Sequence, residues 1–304
     1  MPNLLAQGTD VGYAFLGPAI PKRIKAYQTG ITLGAYQRSG VVVADGNHPS
    51  EDLSPWRHAT FLIQETVVTD AEGRLVLEAA LCETTDPDGD LTWCTLWRKA
   101  EGPATLQLIA GTGKWEGISG QGEMLGFVAN RADDYVMPKW TIHWEVDREK
   151  GQTPDVPIEE GRYAYHDVGF SIHGPHTVEA TKELANGFRL EVNNQSGVLL
   201  SENREASSPR NFATSFDRGT TVMKGEKRIA DVMLLEDTDP DGDVVWLCHL
   251  WWYGTGPGRY RFIGGIGKWE GITGEGKTLG VLRYRKDDHW MLRSEMYWNI
   301  NREE

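Results

Sequence analysis

Apolar and polar residues alternate over short stretches of this chain, and Gly, Pro and Asp close each stretch off. In the segment 140–147, Trp140, Ile142, Trp144 and Val146 fall on one face, and Thr141, His143, Glu145 and Asp147 on the other. Period-two alternation of this kind marks a half-buried β-strand. Residues 40–44, 61–68, 75–83, 91–97 and 105–110 form similar runs of strand length. Helical periodicity is scarce, and it predicts at most a short helix near residues 21–28 or 176–185.

The pattern occurs twice. Asp86-Pro87-Asp88-Gly89-Asp90 recurs letter for letter as Asp239-Pro240-Asp241-Gly242-Asp243. Gly111 to Gly126 recurs as Gly265 to Gly280 with 11 of 16 positions identical, and the two blocks are offset by 153 and 154 residues. Weaker echoes reach both ends of the unit: Gly12 to Pro18 pairs with Gly169 to Pro175, Ser39-Gly40-Val41 with Ser196-Gly197-Val198, and Trp144 with Trp298. A period this long indicates a duplicated domain rather than a solenoid, whose repeats run about 20–50 residues. The expected organisation is a first domain over 1–150, a linker over 151–160 and a second domain over 161–304. The polar segment around Thr153, Pro154 and Pro157 supplies the linker character.

Strands of this length joined by turn-rich segments imply an up-and-down antiparallel sheet. About eight strands per unit would remove their exposed edges by closing into a barrel. The fold expected is therefore all-β, with two tandem antiparallel β-barrels related by internal duplication. An interior of that size holds packed side chains or one small ligand.

The hairpin Gly-x-Gly-Lys-Trp-Glu-Gly-Ile-x-Gly-x-Gly, at residues 111–122 and 265–276, resembles a segment of allene oxide cyclase-like and dirigent-like barrels of the wider calycin group. The resemblance covers about 20 residues per copy. It implies cofactor-free cyclases and isomerases acting on apolar or polyketide-like substrates, alongside proteins that only bind or orient ligands. It carries no catalytic residue over to this chain.

Composition narrows the function. The net charge of −13 argues against a nucleic-acid partner, because phosphate binding needs a surplus of Lys and Arg. No run approaches the length of a membrane-spanning helix. An odd count of three cysteines, with no signal-like segment at the start, fits a reducing cytoplasm better than a disulfide framework. No nucleotide loop, nucleophile elbow or zinc signature is present, so neither a cofactor nor a metal is expected.

The two Asp-Pro-Asp-Gly-Asp loops resemble the start of a calcium loop but lack its later ligands, since Leu91 or Val244 follows where Gly is required. They are better explained as structural hairpins. Lys114-Trp115-Glu116 and Lys268-Trp269-Glu270 are explained as ion pairs beside a Trp that plugs a barrel end. The cysteines sit in apolar strands as inert thiols.

Candidate chemistry falls elsewhere. Glu83 and Glu236 end apolar strands just before the acidic loops, where a carboxyl in a barrel mouth acts as a general acid or base. His143 and Glu145 share one strand face, and their counterparts Tyr297 and Asn299 differ, as expected if the copies have divided labour. Whether that face or the Trp140, Ile142, Trp144 face lies inside is open at this point. His58, aligned with Phe212, is expected to be partly buried. His249, Trp93, Trp144, Trp246 and Trp298 complete the candidate substrate-binding set, the tryptophans as apolar walls.

Two functions remain. One is a cofactor-independent isomerase, cyclase or lyase enclosing an apolar or aromatic molecule, with His143, Glu145, Glu83, Tyr297 and Glu236 as acid–base candidates. The other is a non-catalytic, lipocalin-like carrier. Converging ionisable residues in the interior favour the enzyme, and a purely apolar interior favours the carrier. The tandem copy suggests a monomeric pseudo-dimer or a homodimer. Divergence at the candidate positions makes one working cavity, or two with different roles, the expectation.

Overall fold

The computed structural model describes residues 4–27, 30–44, 54–130, 136–147, 158, 161–184, 187–202, 208–284 and 290–301. The chain divides into two compact units, Met1–Gln152 and Thr153–Glu304. The expected linker falls almost wholly outside the described residues.

In the first unit the strands are β1 (Leu4–Leu16), β2 (Ile20–Ala26), β3 (Thr32–Ala44), β4 (Ala59–Thr69) and β5 (Leu75–Thr85). They are followed by β6 (Leu91–Lys99), β7 (Ala104–Gly111), β8 (Ile118–Asn130) and β9 (Val136–Asp147). The second unit repeats the plan with β10 (Tyr165–His173), β11 (Thr177–Glu183), β12 (Phe188–Ser201), β13 (Thr214–Lys224) and β14 (Lys227–Thr238). It ends with β15 (Val244–Trp252), β16 (Arg259–Gly265), β17 (Ile272–Tyr284) and β18 (Trp290–Ile300).

Each unit is an antiparallel barrel of eight strands. In the first, the order β1-β9-β8-β7-β6-β5-β4-β3 closes through the β1–β3 pairing, and β10–β12 closes the second. The ninth strand, β2 or β11, prolongs its predecessor along the same edge of the long strand beside it: Leu16 pairs with Gly40, then Ile20 with Gln37.

Both segments with helical tendency are strands. In β2, Ile20 and Ile24 mimic a helical i, i+4 spacing, and β11 is rich in Glu, Ala and Lys. Pairing to β3 and β12 overrides that propensity. Pro21 is tolerated because an edge strand has a side on which no N–H is needed.

One end of each barrel is closed by the duplicated motifs. Asp86 Oδ1 accepts the backbone N–H groups of Asp88 at 2.9 Å and Asp90 at 3.0 Å, an Asx-type turn completed by Gly89 at φ 88°. Residues Gly113–Trp115 form a 3-10 turn, not a strand. It delivers the buried Trp115 indole to the barrel end, where Nε1 donates to Asp86 Oδ2 at 2.8 Å. Lys114 therefore pairs with Asp86 at 2.8 Å and Asp88 at 2.5 Å. Gly113 is obligatory here, because a Cβ would lie 2.0 Å from the Asp90 carboxylate.

Trp269, Asp239 and Lys268 repeat the arrangement at the same 2.8 Å distances. These carboxylates are committed to the hairpin. Among the described residues no group of three or more potential ligands could hold a metal ion.

Inside, Trp115 meets Trp144 edge to face at 5.9 Å, above a core that includes Ile118, Ile142 and Val146. The Trp140, Ile142, Trp144 face therefore points inward. Trp115→Ala should destabilise the first unit by about 3–5 kcal/mol, the usual cost of removing a buried aromatic. Urea unfolding checks this, and a loss below about 1 kcal/mol would remove the indole from the interactions that hold the barrel end.

Candidate functional site

Below the closed end, the first barrel keeps a cavity of about 300 Å³ that opens at the opposite end. Its walls are mostly apolar, with Trp56, Phe61, Leu96, Leu106, Met124 and Trp140 among them. Register shifts between β8 and β9 at Met124/Gly126 and Phe127/Ala129 lie near this mouth, a common place for bulges at a barrel rim.

Four charged side chains interrupt the apolar wall. Arg38, Glu65, Glu78 and Arg98 come from four consecutive strands, β3 to β6, all on the cavity side. Arg38 Nε donates to Glu65 Oε1 at 2.8 Å, and Arg98 Nη2 lies 2.6 Å from Glu78 Oε2. Glu78 and Arg98 are direct cross-strand partners, whereas Glu65 faces Ala80, a diagonal neighbour of Glu78.

The two carboxyl groups act on one another across this wall. Burial, then the charge of Glu65, push the Glu78 carboxyl up to about 7, against the pull of Arg98. Arg98 also lies 5.7 Å from the centre of the Phe127 ring at the rim.

The second barrel carries a polar network inside instead. Ser215 Oγ lies 2.7 Å from Asp237 Oδ1 and 2.5 Å from Asp217 Oδ1, and its single proton serves one of the two contacts at a time. Gln195 Nε2 donates to Asp217 Oδ2 at 2.8 Å, and its own oxygen accepts Trp290 Nε1 at 3.2 Å. His173 Nδ1 sits 3.0 Å from Asp217 Oδ2, a close ion contact off the line of a hydrogen bond.

Burial alone would raise Asp217. The charge of the adjacent His173, with the hydrogen bonds of Ser215 and Gln195, overcomes it and holds the carboxyl below its usual range. Burial pushes Asp237 up to about 7 and His249 down to about 4. A pocket among these side chains, also lined by His249 and Tyr260, holds about 20 Å³, enough for one water.

The expected site residues are dispersed. His143 is exposed on the outer face, with Nδ1 2.7 Å from Thr9 Oγ1, and Glu145 lies on that same side, its Oε1 3.4 Å from Ser119 Oγ. Tyr297 faces outward against His166, with ring centres 4.3 Å apart. Asn299 caps the chain at Ala164 and Arg162 through hydrogen bonds of 2.7 and 3.3 Å.

Glu83 and Glu236 do not line a mouth. Each alternates with cavity residues of its own strand, so both are buried on the outward side opposite Trp93 and Trp246, which face outward too. Trp144, Trp298 and His249 do point inward. His58 is exposed rather than partly buried. It shares with the exposed Phe212 a left-handed backbone, φ 54° and 58°, so the matched position is a turn.

Arg38, Glu65, Glu78 and Arg98 were not among the candidates. The available signal was a charge at the apolar-face spacing of β4, β5 and β6. Gln195, Gly219, Asp231 and Trp251 occupy the matching positions of the second unit, so the quartet belongs to the first barrel alone.

No protein-family model, no curated protein and no solved structure matches the chain.

A proton buried with Glu78 makes folding pH-dependent. The folded pKa lies above the unfolded value, so the contribution is fully present below about pH 4.5 and is lost as pH rises through 7. Glu78→Gln should flatten that part of the stability curve and gain relative to the parent at pH 8, by at most about 1.4 kcal/mol per pH unit crossed. Thermal melts of both proteins at pH 5 and pH 8 test this. Parallel curves would show that Glu78 is ionised throughout.

Proposed function

We propose that the first barrel is a cofactor-independent enzyme, an isomerase, cyclase or lyase, acting on an apolar or aromatic small molecule with at least one polar oxygen. The observation that carries this reading is the Glu65–Glu78 pair, two neighbouring carboxyls with an arginine apiece in the wall of an apolar cavity.

A general acid–base group works best with a pKa near the operating pH, and burial brings Glu78 there. Its proton goes to an oxygen or carbon of the enclosed substrate. Arg98 then stabilises the carboxylate left behind, and Arg38 keeps Glu65 in place through its ion pair. A second proton, taken from another position of the substrate by Glu65 or Glu78, restores the pair. The net change is a rearranged substrate of unchanged formula, or one cleaved without added water. The apolar walls contribute by holding one reactive conformer and excluding solvent.

A cavity of about 300 Å³ is at the small end of ligand sites and suits a compact skeleton. In the second barrel the water-sized pocket supports a structural or ancillary role. Free buried thiols at Cys82, Cys94 and Cys248 fit a reducing compartment. Among the described residues no helix is long and apolar enough to cross a membrane.

The alternative, a carrier of a hydrophobic molecule, draws on the same apolar walls. Native mass spectrometry of the chain isolated from its own cells, followed by extraction, would identify the bound molecule. Incubation with that molecule should yield product with the parent protein. Glu78→Gln should retain binding while losing at least about a hundredfold in turnover, the usual share of one acid–base group. Release of the molecule unchanged by both proteins would establish the carrier instead.

A further inference from the structure

Two of the three cysteines face one another. Cys82 on β5 and Cys94 on β6 are direct cross-strand partners, close enough for each thiol to act on the other. Both are free and both line the cavity of the first barrel. The equivalent cross-strand pair in the second barrel is Leu235 and Leu247, so the fold packs well with aliphatic residues there. Thiols are not needed to fill the space. Cys248 is also buried, opposite Leu234, with no thiol across from it.

We propose that Cys82 and Cys94 form a reversible redox-modification site, closed into a cross-strand disulfide by a small neutral peroxide that enters the cavity and protected when an apolar ligand fills it. Directly opposed residues of antiparallel strands have Cα atoms about 4.5–5.5 Å apart, inside the range of about 4.4–6.8 Å spanned by disulfides.

Cys94 is the more exposed of the two, 8% against 1%, and reacts first. Its sulfur attacks hydrogen peroxide: an S–O bond forms, the O–O bond breaks, and the departing oxygen leaves as water with the thiol proton. The Cys82 sulfur then displaces the sulfenic oxygen. The S–S bond forms, the S–O bond breaks, and a second water carries off the Cys82 proton. Two thiols are oxidised by two electrons, and one peroxide is reduced to two waters. The neighbouring thiol, and then burial, push Cys82 well above its ordinary value, so its attack depends on Cys94 lying directly across the strand pair.

The route through apolar walls admits a small neutral molecule and disfavours large charged disulfides such as oxidised glutathione. The bond would tie β5 to β6 four residues along each strand from Glu78 and Arg98, drawing the sulfurs to about 2.05 Å and reshaping the wall beside the charged quartet. This inference needs the cavity but not the acid–base role of Glu78, so either can fail without the other.

Exposure of the intact chain to hydrogen peroxide, then iodoacetamide labelling after denaturation, provides the test. The expected result is labelling of Cys248 alone, with the tryptic peptide 75–98 lighter by two hydrogens and dithiothreitol restoring both lost thiols. In Cys82→Ser the reaction should stop at a sulfenic acid on Cys94, trapped by dimedone. The neutral fluorophore 1-aminoanthracene, at ten times its measured Kd, should slow pairing about tenfold by mass action. Three labelled thiols, or direct passage of Cys94 to sulfinic acid without linkage, would overturn the site. Pairing at the same rate with the fluorophore present, or failure of the fluorophore to bind, would overturn its protection by ligand.

Discussion

Closing eight antiparallel strands into a barrel fixes an interior that side chains, water or a ligand must fill, and every second residue of each strand points into it. The rest of this molecule follows from how the two copies meet that constraint. At one end they meet it identically: an indole from a 3-10 turn is driven in and held by the carboxylate that also shapes the neighbouring hairpin. The acid is shared among backbone amides, the indole N–H and a lysine, so its burial is compensated by hydrogen bonds. One residue thus organises a turn, a plug and a surface ion pair, and both blocks are retained together in the duplication.

Beyond the plug, the copies diverge. Where the first barrel has Ile63, Leu96, Leu16 and Trp56, the second has Asp217, His249, His173 and Arg210. These polar groups occupy the interior because they satisfy one another, Ser215 bridging two aspartates and Gln195 joining Asp217 to Trp290. The first barrel leaves its middle open and gathers the charged groups that line this space on one wall. Substitution on the inward-facing positions has given one copy of a shared scaffold a polar network and the other room for a guest.

The duplication and the barrel architecture were legible because both rest on local signals, a repeated turn chemistry and a period of two. Sidedness was not. The alternation at 140–147 says that two faces differ, not which one is enclosed. His143 looked chemically apt yet lies outside because three of the residues beside it, Trp140, Ile142 and Trp144, are the ones that fill a barrel. Glu83 misled for a related reason: in β5 both faces are buried, so burial alone does not mark the interior. The quartet was hidden in register. Arg38 and Arg98 are 60 residues apart in sequence, and only the pairing of four consecutive strands brings their partners, Glu65 and Glu78, together. β2 and β11 show the same limit, since helical propensity yields to an available strand edge.

The quartet's charge balance gives the open cavity its chemical character. Two arginines face two glutamates, and protonation of Glu78 makes the wall more positive by one charge. Around it lie aromatic and aliphatic side chains that screen poorly, which strengthens the field felt by an enclosed molecule. A neutral apolar guest meets little resistance on entry. If negative charge develops on one of its oxygens, that oxygen meets a proton donor and two guanidinium groups already in place, with no solvent to reorganise. The same wall that tolerates a neutral ligand therefore favours the charge that proton transfer creates. A purely apolar cavity has no means of making that distinction.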